Sequence, residues 1–172
     1  MADEKTRAVF FDRDGTIMHD VNYCSDPKDV HVFPFVAESL RKLKARGFKL
    51  IMVTNQSGIG RGYFTWEQYE RVHAEVLRQL GEPLIDATYV CPDVPGSDSK
   101  CRKPAPGMIL DLLRCWPADV ATSFLIGDRE TDCAAAAAAG LESHLFAGGD
   151  LTLFASNLLA IRRPRSPSDA TA

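Results

Sequence analysis

Two aspartates one residue apart follow a short apolar run near the start of the chain. The run is Ala8 to Phe11, and Asp12 and Asp14 come directly after it in the string DRDGT. A carboxylate can attack an electrophile and form a covalent intermediate, while a second carboxylate nearby gives and takes protons. Asp12 is therefore a candidate nucleophile, and Asp14 is a candidate general acid and base.

Three further strings supply the groups that phosphoryl chemistry needs. An ordinary Asp-Gly turn would not be accompanied by such groups. Residues 53–58, VTNQSG, carry small hydrogen-bond donors suited to phosphate oxygens. Residues 101–104, CRKP, supply two adjacent cations. Residues 127–132, GDRETD, supply carboxylates suited to a hard cation. Together the four strings indicate an enzyme that transfers phosphoryl groups.

Strands must bring these strings together. The apolar runs 8–11, 50–53 and 123–126 come directly before three of them. Short apolar runs bounded by turn residues are typical of parallel strands that are buried on both faces. Ligands bind beyond the carboxyl ends of such strands. The sequence therefore predicts an active site at one edge of a parallel sheet.

Helical patterns alternate with the strands, as in a doubly wound parallel α/β sheet. The predicted helices cover 36–46, 107–115, 131–139 and 151–161, another lies between its cap Thr65 and Gly81, and further strands cover 87–90 and 142–146. The crossover helices and their connections use nearly every residue in 15–50 and 58–101. We therefore expect an open site with no inserted cap domain.

The order DRDGT, VTNQSG, CRKP, GDRETD closely resembles the haloacid dehalogenase superfamily of aspartate-nucleophile phosphatases, from residue 8 to about 146. Within it, the strings TNQSGIGRGYFTWEQ and CRKPAPGM resemble the group of histidinol-phosphate and heptose-bisphosphate phosphatases. The resemblance implies a Rossmann-like core without a separate cap, and magnesium-dependent hydrolysis of a phosphomonoester through an aspartyl-phosphate. The preferred substrate is D-glycero-D-manno-heptose 1,7-bisphosphate, which would lose its 7-phosphate on the route to surface polysaccharide. Histidinol phosphate and another small sugar phosphate are the alternatives.

The resemblance also implies roles for individual residues. The expected catalytic residues are Asp12, Asp14, Thr54 and Lys103. Magnesium would be held by Asp12, the main-chain carbonyl of Asp14 and Asp128, while Asp132 would orient Lys103 or the metal's waters. The candidate substrate-binding residues are Asn55, Gln56, Ser57, Arg61, Arg102 and Arg129.

The segment from Cys91 to Cys101 departs from a pattern that the resembled group often carries. That pattern is a zinc loop, Cys-x-His followed by Cys-x-Cys just before Arg-Lys-Pro. Here Asp93 and Ser99 stand at two of the four ligand positions. Structural zinc normally takes four Cys or His ligands, so we expect this loop to bind no zinc.

Composition and charge limit the other function classes. The chain has 172 residues and a formal net charge of −3, which provides no global basic field for nucleic acid or for a membrane surface. We expect one domain over 7–161 between a disordered N-terminus, 1–6, and a disordered tail, 162–172. The charged N-terminus and the five cysteines, an odd number, predict a cytoplasmic protein without a disulfide framework. We expect a monomer whose partner is its small-molecule substrate.

Two other function classes stay open at this point. A phosphomutase or phosphotransferase would use the same aspartyl-phosphate but pass it to a sugar hydroxyl, and such enzymes usually need a cap that excludes water. A non-catalytic phospholigand-binding protein could share the fold. The open site argues against the first class, and the intact set Asp12, Asp14, Lys103 and Asp128 argues against the second.

Overall fold

The computed structural model describes residues 6–81, 83–116 and 118–161. The described strands are β1 Arg7–Phe11, β2 Phe48–Asn55, β3 Ala87–Cys91, β4 Phe124–Gly127 and β5 Glu142–Leu145. The described α-helices are α1 Val36–Ala45, α2 Ser57–Gly60, α3 Trp66–Leu80, α4 Gly107–Cys115, α5 Glu130–Ala138 and α6 Leu151–Ile161. A single 3-10 turn at Pro27–Asp29 precedes α1.

The strands form one parallel sheet in the order β3-β2-β1-β4-β5, which confirms the predicted doubly wound fold. Strand β1 pairs with β2 on one side, where Val9 is opposite Leu50, and with β4 on the other, where Val9 is opposite Phe124. The chain order reverses at β1, so the carboxyl ends of β1, β2 and β4 lie side by side. This is where open α/β sheets bind ligands.

Alternating residues of β1 face two separate hydrophobic layers, as the two-residue period of a strand requires. Val9 and Phe11 belong to a buried cluster that includes residues of α1, α3 and α6. Ala8 and Phe10 belong to a second cluster that includes residues of α4 and α5. Both faces of the central strand are therefore covered by helices.

The predicted elements are present, with shifted ends. Thr65 caps α3 with a full capping box, and Gly81 ends it in the left-handed region at φ 84°. Strand β2 runs on to Asn55 because it still pairs with β3 there. Helix α2 was not predicted, since two of its four residues are glycines and its helix propensity is low.

No separate cap domain is formed within the described ranges, where all helices and strands belong to the one α/β unit. Thr6, predicted to belong to the disordered N-terminus, forms a parallel bridge with Ala118. The predictions for residues 1–5 and 162–172 fall outside the part of the chain that the structure describes. None of the described helices has the length and apolar character needed to cross a membrane.

Candidate active site

A buried lysine joins two buried aspartates at the carboxyl ends of the strands. Lys103 Nζ lies 2.6 Å from Asp12 Oδ1 and 2.6 Å from Asp132 Oδ1, and it also donates to the Val53 carbonyl at 2.8 Å. Only 3% of Lys103 and 1% of Asp132 are exposed. The two carboxylates and the main-chain carbonyl thus satisfy the three donors of the ammonium group.

A third carboxylate completes a site that fits a divalent cation. One oxygen each of Asp12, Asp128 and Asp132 can be chosen so that all lie within 4.8 Å of one another. Asp128 Oδ1 is buried and has no hydrogen-bond partner among the described residues. Lys103 balances one of the three negative charges, and Arg129, which also pairs with Asp20, lies 3.8 Å from Asp128, so an excess of negative charge remains. Oxygen ligands with this excess charge suit Mg²⁺.

The pKa values at this site show the cost of holding the charges without a cation. Burial raises the pKa of Asp12 to about 7, because the attraction of Lys103 does not fully offset lost hydration and the repulsion of Asp132. Burial also raises the pKa of Asp128, and Asp132 adds to the effect. A bound divalent cation would favour the ionised form of both groups.

Gly15 of the DRDGT motif allows Asp128 to approach β1 closely. A Cβ atom on Gly15 would lie 2.2 Å from Asp128 Oδ2, far inside van der Waals contact. Gly15 also has φ 86°, a left-handed conformation that residues with a side chain rarely adopt. The glycine is thus required both for the turn and for the position of the third carboxylate.

The carboxylate of Asp14 points to a different set of partners. Arg13 donates to it twice, from Nε at 3.1 Å and from Nη2 at 2.9 Å. Gln56 Nε2 donates to it at 2.8 Å and lies 2.8 Å from Thr54 Oγ1. Gln56 and Thr54 therefore help to fix Asp14, whereas their predicted contacts with substrate stay predictions, as does the metal contact of the Asp14 carbonyl.

Arg13 is a functional candidate that the sequence analysis missed. It is 1% exposed, and its guanidinium carbon lies 5.5 Å from the centre of the Tyr69 ring on α3. Its Nη1 atom has no hydrogen-bond partner among the described residues. The sequence signal for this role was its position between two aspartates, because a buried arginine needs a partner for its charge.

Asn55 holds Lys103 in place through the main chain. Its side chain donates to the Lys103 carbonyl and accepts from the Lys103 N–H, both at 3.1 Å. The amide side chain predicted to contact substrate thus fixes the loop that carries the buried lysine. Its contact with substrate stays a prediction.

Most of these groups, though not Thr54 or Asp128, line one open pocket of about 640 Å³. The predicted residues on its wall are Asp12, Asp14, Asn55, Gln56, Ser57, Arg102, Lys103, Arg129 and Asp132. The wall also includes Arg13, Asp20, Asn22, Tyr23, Cys24, Gly58, Pro95, Glu130 and Thr131, none of which was predicted as an individual site residue. Arg61 is not part of the wall and lies 6.0 Å from the Tyr63 ring instead.

Arg129 links two loops at the pocket. Its Nη2 atom lies 2.7 Å from Asp20 Oδ2, and its Nε lies 3.8 Å from Asp128 Oδ2. The two residues of the shorter pair are 109 positions apart. No local pattern in the sequence could have indicated this ion pair.

The loop from Cys91 to Cys101 lies on the same side of the sheet and carries Arg102 to the pocket. Ser99 Oγ donates to Asp93 Oδ2 at 2.5 Å and lies 3.8 Å from the Cys91 sulfur. Burial raises the pKa of the Cys91 thiol, although hydrogen bonds from Asp93 and Ser99 oppose this. All five cysteines are free thiols. These contacts do not fit a four-ligand zinc site.

Known proteins match this chain over most of its length. Residues 7–159 match the family model described as polynucleotide kinase 3 phosphatase. The D-glycero-beta-D-manno-heptose-1,7-bisphosphate 7-phosphatase of Rhodopseudomonas palustris is 37% identical over 161 residues, covering 88% of this chain and 89% of that protein. The probable D-glycero-D-manno-heptose-1,7-bisphosphate 7-phosphatase of Thermoplasma volcanium is 40% identical over 125 residues, covering 72% and 86%.

A solved structure shows the same architecture. The D,D-heptose 1,7-bisphosphate phosphatase from B. bronchiseptica, complexed with magnesium and phosphate, superposes with a TM-score of 0.83 at 28% identity. The match covers 91% of this chain and 99% of that one.

Proposed function

This chain belongs to the polynucleotide kinase 3 phosphatase family, and from that premise we propose that it is a magnesium-dependent phosphatase that removes the 7-phosphate of D-glycero-D-manno-heptose 1,7-bisphosphate. One observation carries the phosphatase assignment: Lys103 binds both Asp12 and Asp132 at 2.6 Å at the end of β1, beside an oxygen of Asp128 that has no hydrogen-bond partner among the described residues. The sugar bisphosphate is favoured because relatives 37% and 40% identical are named for it.

The reaction begins with attack of an Asp12 carboxylate oxygen on phosphorus. The bond from phosphorus to the sugar oxygen breaks, and Asp14 donates a proton to that oxygen as it leaves. Asp14 then removes a proton from water, which attacks phosphorus, releases inorganic phosphate and restores the Asp12 carboxylate.

The charges of the site explain how a carboxylate can approach a phosphate dianion. Lys103 neutralises negative charge on the nucleophile and on the phosphoryl group, and Asp132 keeps its ammonium in place. Magnesium, held by Asp12, Asp128 and the Asp14 carbonyl, would supply further positive charge at the phosphoryl oxygens.

Asp14 can act as acid and base because its position is fixed beforehand. Arg13 and Gln56 hold both of its oxygens, so the carboxyl does not have to be ordered during the reaction. Its side chain is 19% exposed, which leaves it in contact with the pocket. Water can therefore reach the group that has to activate it.

The test is phosphate release from three substrates in parallel, with and without Mg²⁺. The substrates are D-glycero-D-manno-heptose 1,7-bisphosphate, L-histidinol phosphate and an aryl phosphate. We expect kcat/KM of about 10⁴ M⁻¹s⁻¹ or more for the bisphosphate alone. Efficient turnover of histidinol phosphate would select the alternative substrate, and weak turnover of both would indicate another sugar phosphate.

Two variants separate the remaining classes. Asp12→Asn should abolish metal-dependent turnover, whereas Glu38→Gln, which changes an exposed carboxylate paired with Lys42 on α1, should leave it unchanged. Specific ligand binding without turnover by the unaltered chain would support the non-catalytic class. Transfer of phosphate to a sugar hydroxyl instead of water would support the phosphotransferase.

A further inference from the structure

The loop between β3 and α4 is organised around one serine hydroxyl. Ser99 Oγ donates its hydrogen to Asp93 Oδ2 at 2.5 Å and accepts from two consecutive main-chain N–H groups. These are the N–H of Cys101 at 3.2 Å and the N–H of Arg102 at 3.0 Å. Ser99 and Asp93 are half-buried, while residues 95–98 at the tip of the loop are exposed. The hydroxyl thus joins the two ends of the loop.

The same network holds Arg102 at two points. Its main-chain N–H binds Ser99 Oγ, and its Nη1 atom donates to the Asp93 carbonyl at 2.9 Å. Arg102 lines the pocket next to Lys103. A long arginine side chain loses much rotamer entropy when it binds an anion, and a side chain that is already fixed loses less.

The distance between Ser99 and Asp93 does not fit two ligands of one metal ion. Two oxygens bound at about 2.0 Å in a tetrahedral site lie about 3.3 Å apart. The Ser99 and Asp93 oxygens are 2.5 Å apart, as in a hydrogen bond from a hydroxyl to a carboxylate. Among the described residues, the group of side chains suited to a metal is the one at Asp12, Asp128 and Asp132, and it includes no residue of this loop.

We propose that Ser99 is a positioning residue that sets Arg102 for a second anionic group of the substrate through hydrogen bonds that need no metal ion. This inference rests on the proposed function for the identity of that group, which is the phosphate that is not hydrolysed. A substrate with a single phosphate does not use this contact, so Ser99 affects the bisphosphate selectively.

The experiment compares the full-length chain with three variants. Ser99→Ala removes the hydroxyl, and Ser99→Thr retains it. Ser97→Ala removes a hydroxyl of the same loop whose partner among the described residues is the Val94 carbonyl. Hydrogen–deuterium exchange is measured for peptides that contain the amides of Cys101 and Arg102. Steady-state kinetics are measured with the heptose bisphosphate and with an aryl phosphate, and zinc content is measured on the purified protein.

We expect Ser99→Ala to exchange the two amides about fivefold to tenfold faster, since each loses a hydrogen bond worth about 1 kcal/mol. Its KM for the bisphosphate should rise about tenfold. Its kcat for the bisphosphate and its kcat/KM for the aryl phosphate should both stay within about twofold of the values for the unaltered chain. Ser99→Thr and Ser97→Ala should behave like the unaltered chain. Zinc should be far below one ion per chain.

Two results would overturn the proposal. One is unchanged exchange and unchanged KM in Ser99→Ala. The other is one zinc ion per chain whose removal by a chelator, with excess Mg²⁺ present, accelerates exchange in the loop. If no bisphosphate is turned over, the proposed substrate fails, but the exchange rates and the zinc content still decide whether Ser99 holds Arg102 without metal.

Discussion

Replacing Arg13 by methionine tests whether catalysis depends on the fixed position of Asp14. Methionine fills much of the same buried space but removes the donors at 3.1 and 2.9 Å. Gln56 would then be the one remaining described partner of the Asp14 side chain, through a single hydrogen bond at 2.8 Å. The carboxyl would be free to rotate and to take positions that do not reach the leaving oxygen.

The magnitude follows from the bonds that are lost. Hydrogen bonds to a charged group contribute about 1.5–3 kcal/mol. If the pair of bonds acts as one unit in the transition state, kcat falls about 10- to 150-fold. Folding stability should change less, because Asp14 can regain water and because the substitution also removes the buried, unpartnered Nη1 of Arg13.

The assay is steady-state hydrolysis of an aryl phosphate with saturating Mg²⁺, combined with thermal unfolding to show that the variants are folded. Tyr69→Phe is a matched control, since the Tyr69 hydroxyl has no partner among the described residues while its ring packs near Arg13. That variant should retain kcat. A folded Arg13→Met protein with kcat within about twofold of the unaltered chain would refute the reasoning.

Three other substitutions test the charges and the close contacts. Lys103→Met should lower the free energy of unfolding by about 3–5 kcal/mol in EDTA, because it leaves buried Asp12 without its cation. The loss should be measurably smaller in Mg²⁺. Equal losses in urea titrations under both conditions would argue against a metal ion at Asp12. Gly15→Ala should raise the Mg²⁺ concentration for half-maximal activity at least about tenfold, since its Cβ would displace the Asp128 carboxylate; an unchanged magnesium activation curve would contradict this. Burial opposes ionisation of Asp86, but hydrogen bonds from a main-chain amide and two lysines outweigh burial and lower the pKa of Asp86. The ionised carboxylate therefore stabilises the fold near neutral pH, and this stabilisation is lost as pH falls through the lowered pKa. Asp86→Asn should therefore destabilise the fold by about 1 kcal/mol at pH 7 and less toward pH 3, after allowing for solvent screening of the lysines; a loss independent of pH in urea titrations would show that charge is not the cause.

Much of the site could be predicted because its residues come directly after the ends of strands. Asp12 and Asp128 come one residue after β1 and β4, and parallel neighbouring strands bring their ends together. The capping box at Thr65 was predictable for a similar reason, since both of its bonds join residues three apart. Local spacing contains all the information in such cases.

Side-chain partners were harder to predict. The side-chain amide of Asn55 binds the main chain of Lys103, 48 residues away, and its predicted contact with substrate stays a prediction. The guanidinium carbon of Arg61 lies 6.0 Å from the centre of the Tyr63 ring and outside the pocket wall, and its predicted contact with a sugar phosphate stays a prediction. Asn55 is the last residue of β2 and Arg61 comes directly after α2, so both lie where the backbone leaves a regular element and local spacing no longer specifies what a side chain contacts.

The sequence by itself determined the order of strands and helices and the set of residues whose chemistry suits phosphoryl transfer. Apolar periodicity and turn residues report the local backbone directly, and the ends of parallel strands must meet. The tertiary structure decided which donor serves which carboxylate: Arg13 and Gln56 for Asp14, and Ser99 for Asp93. Hydrogen bonds require matching distances and angles within a few tenths of an ångström, and only the packed chain specifies these.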